Sequence, residues 1–147
     1  MNQNVMKIWC DGAFKPSLNQ GGVGIVWVED DKVVRKYSKG YKKTDTKKVT
    51  NQTMEMIAAM IALKSIKSEV ESLEIVTDSM YVIGGASLGW KRKANIELWM
   101  KFDEVLNNAQ KLVKSKIKFT HTKGHESDMF NCLADELASD ASKEFIE

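Results

Sequence analysis

The spacing of apolar positions changes along the chain and divides it into strands and helices. VMKIWCD (5–11) and VGIVWVE (23–29) are rich in β-branched and aromatic residues and predict two strands. GAFKPSLNQGG (12–22) between them gathers the only proline and several glycines and predicts a loop. EDDK then predicts a polar tight turn, followed by VVRKYSKGY (33–41), whose alternation of apolar and basic residues suits a strand with one wet face. From Thr50 the composition shifts to Met, Ala, Ile and Leu, so TNQTMEMIAAMIALKSIKS predicts a helix of about four turns, with Thr50 or Asn51 as its N-cap. SLEIVTD (72–78) predicts a strand, SMYVIGGASLGW a brief helix and NIELWMKFDEVLNNAQKLV a long amphipathic one. KIKFTHT (116–122) predicts the last strand, KGHESDMF a polar loop and NCLADELASDASKEF the closing helix.

The order βββαβααβα predicts an α/β fold with a five-stranded mixed sheet, three strands antiparallel and the later ones joined through right-handed helical crossovers. In such sheets a ligand site is expected beyond the carboxyl ends of the parallel strands. Asp11 and Asp78 each end a predicted strand.

A length of 147 residues suits one domain, and neither a membrane span nor a signal sequence is visible, so a cytosolic address is expected. Cys10 and Cys132 are too few for a disulfide framework, and with His121 and His125 they lack the close pairing of structural zinc sites. The net charge of +2 is uninformative, but its distribution is not. Lys32, Arg35, Lys36, Lys39, Lys42, Lys43, Lys47 and Lys48 face a single acid, Asp45, within their segment, whereas residues 126 to 147 are predominantly acidic. A basic segment of this kind can concentrate phosphates near an acidic, cation-binding pocket.

The candidate chemistry lies in four carboxylates: Asp11 and Asp78 at strand ends, Glu55 in the first turns of the first long helix, and Asp135 near the start of the last. Singly, each has an ordinary structural explanation: turn, cap or wet helix face. Glu55 is the exception, because its neighbours from Met54 to Ile61 are apolar and a buried carboxylate there needs a cation or a proton. Asp135 shares a helix face with Asn131, whereas Glu136 points elsewhere. Several carboxylates at one sheet end repel one another unless a divalent cation intervenes, and an all-oxygen set suits Mg²⁺ or Mn²⁺ and phosphoryl chemistry.

CDGAF, TNQTMEMIAAMIAL, VTDSMYV and HTKGHESDMFNCLADELA resemble, in order and spacing, the motifs of type 1 ribonuclease H over nearly the whole chain. The resemblance implies a ribonuclease H-like fold and a single catalytic domain over residues 1–147. It implies an endonuclease that cleaves the RNA strand of an RNA–DNA hybrid with two Mg²⁺ ions, Mn²⁺ being a substitute, and leaves 3′-hydroxyl and 5′-phosphate ends. Asp11, Glu55, Asp78 and Asp135 fall on the family's metal ligands, and His125 on a loop histidine that assists proton transfer or product release; His121 is expected to be structural. Asn51 and Gln52 match residues that touch the hybrid's minor groove, Thr50 and Asn95 a pocket that grips a DNA phosphate, and Asn131 a polar residue beside the active site. The family's basic protrusion is short here, leaving Lys91, Arg92 and Lys93 and implying weaker hybrid affinity, and a monomer is expected. The alternatives are a non-catalytic hybrid-binding or polymerase-associated module, a DNA resolvase of related fold, and a structural Ca²⁺ module.

Overall fold

The computed structural model describes residues 5–44, 48–122 and 128–143. Strands β1 (Val5–Lys15), β2 (Gln20–Glu29) and β3 (Lys32–Lys42) form an antiparallel meander. Helix α1 (Asn51–Lys64) crosses to β4 (Ser72–Thr77), which pairs parallel with β1. Helices α2 (Met80–Ser87) and α3 (Ile96–Gln110) lead to β5 (Lys118–His121), parallel to β4, and α4 (Met129–Ala141) follows. The sheet order is β3-β2-β1-β4-β5, the expected five-stranded mixed α/β architecture. No helix among the described residues is long and apolar enough to cross a membrane.

The expected loop at 12–22 is instead mostly strand. β1 and β2 run on as a hairpin from the pair Asp11–Gly24 to Lys15–Gln20, and the reversal is confined to a 3₁₀ turn at Pro16–Leu18 closed by Asn19 in the left-handed region (φ 51°). Glycines that look like loop punctuation lie in β2 because a helix packs on them. A Cβ on Gly22 would run into the Ala138 carbonyl and the Ser142 amide, and one on Gly24, in the expected strand, would run into the Ala134 carbonyl and approach the Ala138 amide to 2.7 Å. The EDDK turn forms as expected, with Asp30 and Asp31 both at positive φ (52° and 61°), the backbone that two-residue hairpin turns demand.

Alternation along the strands separates two cores. Ile8, Cys10, Ile25 and Trp27 face α1 and α3 in the larger one, while Trp9, Val26 and Val28 face α4 across Ala134. Thr50 caps α1 reciprocally: its hydroxyl accepts from the Thr53 amide at 3.0 Å, and its own amide donates to the Thr53 hydroxyl at 2.8 Å. α4 starts two residues before the expected position. Asp128 caps it, accepting from the Asn131 amide (2.9 Å), while its other oxygen accepts from the Thr122 hydroxyl (2.6 Å) and the Trp9 indole (3.2 Å).

Gly24→Ala is expected to push α4 off the sheet and to lower unfolding free energy by about 1–3 kcal/mol, the usual cost of overpacking, as measured by urea denaturation.

Candidate active site

The sheet gathers the predicted acids at one end. Asp11 lies just past the last pair that β1 makes with β4, Trp9 with Val76, and Asp78 directly follows β4. Glu55 comes down from the second turn of α1. Asp11, Glu55 and Asp78 each offer a carboxylate oxygen, all within 4.8 Å of one another. Asp11 and Glu55 are buried, at 4% and 8% exposure, and Asp78 opens to solvent. Asp135 is not one of these three mutually close groups, but from the exposed side of α4 it reaches Asp11 through a side-chain hydrogen bond and its charge acts on Asp78.

Local structure explains why these side chains are available. The N-cap of α2 is Ser79, whose hydroxyl accepts from the Val82 amide at 3.2 Å, so capping makes no demand on Asp78. The Gly12 amide donates both to Glu55 Oε1 at 2.7 Å and to Asp11 Oδ1 at 3.0 Å. That shared donor requires α1 to lie directly on β1, and a Cβ on Gly12 would collide with the backbone of Met54 and Glu55.

Among the described residues no lysine or arginine pairs with the three acids. Burial raises the Asp11 carboxyl far above its usual range, and the charges of Glu55 and Asp78 add to it. Burial lifts Glu55 to about 7, with the Asp78 charge adding and hydrogen bonds from Asp11, Gly12 and Ser79 opposing. Asp78 is raised by burial and then by the Asp135 charge, with a hydrogen bond from Asp11 and the charge of His121 opposing. His121, expected to be structural, is exposed at the end of β5 and contributes to the field at the site. The Cys10 thiol beneath is held protonated by burial and by the charges of Glu55, Asp11 and Asp78, which removes it as a soft metal ligand. Without metal, the cluster relieves its repulsion by retaining protons. Three oxygen donors with no ammonium or guanidinium among them are the donor set of a hard divalent cation.

A sequence model of the family described as RNase H matches residues 3–143. The chain belongs to the ribonuclease H family. Among its relatives, the Ribonuclease H of Ruthia magnifica subsp. Calyptogena magnifica is 34% identical over 149 residues, spanning 92% of this chain and 94% of that protein. The Ribonuclease H of Solibacter usitatus (strain Ellin6076) is 37% identical over 111 residues, 67% of this chain and 71% of that one. The crystal structure of LC11-RNase H1 in complex with an RNA/DNA hybrid superposes with a TM-score of 0.72 at 18% identity, covering 95% of this chain and 97% of that one, a likeness that speaks to the fold. The resemblance to type 1 ribonuclease H drawn from the motifs is therefore borne out, and with it a hydrolytic nuclease.

Around this ribonuclease H centre, Asn51 and Gln52 are exposed at the start of α1, and Asn131 is buried in the first turn of α4, one turn before Asp135. Asn95 shares a cavity of about 450 Å³ with Lys48, Thr53 and Lys101, whereas the neighbouring Thr50 hydroxyl is engaged in the α1 cap. His125 lies outside the described residues. Thr53, Lys101 and the Gly12 amide are elements that the sequence pattern did not single out, and it noted Lys48 only as part of a basic segment. The DG pair flagged Gly12 only by its position, and nothing local distinguishes Lys48 or Lys101 from surface lysines. Arg92, expected in the residual protrusion, turns inward: it grips Asp103 at 2.6 and 2.7 Å, donates to the Gly85 carbonyl at 2.8 Å and lies over the Trp99 ring at 4.4 Å. Its charge is thus engaged within the fold.

The raised carboxyls set the pH dependence of the metal-free protein. Unfolded-chain carboxylates ionise near about 4, and Glu55 ionises at about 7 in the fold. Across that interval the folded state binds more protons than the unfolded one, so stability falls as pH rises through it. Asp11→Asn replaces a carboxyl that must take up a proton on folding near neutral pH. It is expected to raise the melting temperature of chelator-treated protein near neutral pH and to abolish the further rise that a divalent cation gives the wild type, both read by thermal denaturation with and without metal.

Proposed function

We propose that this protein is an endonuclease that hydrolyses the RNA strand of an RNA–DNA hybrid, using two divalent cations, Mg²⁺ in the first instance, and leaving 3′-hydroxyl and 5′-phosphate ends. The observation that carries the proposal is the cluster of Asp11, Glu55 and Asp78, with Asp11 and Glu55 buried and no lysine or arginine partner among the described residues, in a chain of the ribonuclease H family. LC11-RNase H1, which shares the fold, has been captured with an RNA/DNA hybrid.

In this proposal Asp11 anchors the site, Glu55 and Asp78 flank it, and Asp135 closes it from α4. Bound there, paired cations would supply an activated water and neutralise the leaving oxygen of the scissile phosphate. The chain holds its carboxylates in position before binding: Gly12 fixes Asp11 and Glu55, and the end of β4 presents Asp78 to solvent. Asn51 and Gln52 meet the minor groove, where a 2′-hydroxyl marks the RNA strand. Asn95, with Lys48 and Lys101 beside the α1 start that Thr50 caps, holds a phosphate of the DNA strand, and Asn131 supports Asp135. His125 moves a proton or eases product release. Residues 1–147 act as one catalytic domain and as a monomer.

Asp78→Asn is expected to lower cleavage on the order of a hundredfold or more, the scale seen when a transition-state stabilising group is deleted, while leaving the melting temperature of the metal-free protein unchanged or higher. End-labelled RNA in a hybrid, beside duplex DNA, duplex RNA and a four-way junction, checks this. Cutting confined to the hybrid's RNA, lost in chelator and in the variant, is the expected result. Binding without cutting points to a non-catalytic module, and junction cutting to a resolvase. His125→Ala is expected to slow turnover while metal-induced thermal stabilisation persists; an unchanged rate across pH would remove His125 from the reaction.

A further inference from the structure

Asn95 occupies a helix N-cap yet does not cap. In α1, α2 and α4 the N-cap side chains of Thr50, Ser79 and Asp128 each accept from an amide of their own helix. Asn95 precedes α3 in the left-handed conformation (φ 57°) and makes no such bond. Its left-handed backbone departs from the extended conformation of Thr50 and Ser79, and its side chain turns elsewhere. Its Nδ2 donates to the Tyr81 hydroxyl at 3.0 Å.

Tyr81 is itself fixed. Its hydroxyl also accepts from the Trp99 indole at 3.2 Å, so both acceptor positions of the oxygen are occupied. Trp99 is buried, meets Phe102 edge-on at 5.0 Å and carries the Arg92 guanidinium on its ring, with Asp103 binding the guanidinium N–H groups. A continuous series of contacts therefore runs from the core to the Asn95 carboxamide. One amide hydrogen goes to Tyr81, which leaves the second hydrogen and the oxygen for the cavity shared with Lys48, Thr53 and Lys101.

We infer that Tyr81 is a positioning residue for recognition of the DNA strand: its hydroxyl, held by Trp99, draws the Asn95 side chain away from capping α3 and presents the free amide hydrogen to a phosphate beside Lys48. This role rests on the reading above in which Asn95 grips a DNA phosphate. It deepens that reading by naming a residue that acts through Asn95. It also gives Arg92 a purpose compatible with its inward turn, as a brace for Trp99.

The test compares Tyr81→Phe, Asn95→Ala and the double variant as full chains. Tyr81→Phe keeps the ring and deletes only the hydroxyl. It is expected to raise KM for the hybrid about three- to tenfold, the equivalent of one ordinary hydrogen bond, with kcat unchanged, and to shift the Asn95 side-chain amide resonances in nitrogen-15-labelled protein. In the Asn95→Ala background the same change is expected to leave KM where Asn95→Ala alone put it. An unchanged KM with unchanged Asn95 resonances overturns the role, as does an equal rise in KM with Asn95 absent, which is how a merely structural tyrosine behaves. Failure of the wild type to cut any hybrid would overturn the proposed function. In that event the Asn95 resonances still decide the matter for Tyr81, because they need no substrate.

Discussion

One amide hydrogen serves two buried carboxylates, and much of the molecule is arranged so that it can. The Gly12 N–H lies between Asp11 and Glu55, groups from β1 and α1 that repel each other in a poorly hydrated place. That repulsion is tolerated because α1 is pressed onto the sheet by a large apolar face that includes Met54, Ala58, Ala62 and Leu63. The hydrophobic effect supplies the force and is indifferent to what the helix carries at its exposed end. A site of this kind is a local conflict that the surrounding core keeps in place, and protons or cations relieve it.

The other face of the sheet solves a different problem. α4 must come close enough to the strands to bring Asp135 beside the cluster, and the absence of a side chain at Gly24 allows that approach. Its start is fixed by Asp128, which joins α4 to Trp9 of β1 and to Thr122 just beyond β5. Those hydrogen bonds, with that from the Asn131 amide, hold the Asp128 carboxyl below its ordinary range against the opposing effect of burial. Asp128 and Asp11 are both aspartates near one sheet end, yet they titrate in opposite directions. Donors surround the first, whereas acids surround the second.

Much was legible in the chain itself. Element order, the mixed sheet and the tight turn at Asp30 and Asp31 follow from periodicity and turn chemistry, which depend on residues close in sequence. The four acids were found because each ends or begins an element that could be read, and because Glu55 sits among apolar neighbours where an acid is out of place. The hairpin at 12–22 was misread for a reason of the same kind. Glycine is ambiguous between turning a chain and admitting a neighbour, and only the helix lying on β2 tells which applies.

Sequence by itself thus determined which residues are chemically equipped and which elements carry them. Tertiary structure decided how they meet. It set three acids within 4.8 Å with Asp135 reaching in from α4, laid Arg92 on Trp99, and turned Asn95 from its helix to Tyr81. Each of these outcomes joins side chains on separate elements. The reason is physical: local propensity and periodicity act over a few residues, whereas distances between elements are set by how whole faces pack, and no short stretch of chain encodes that alone.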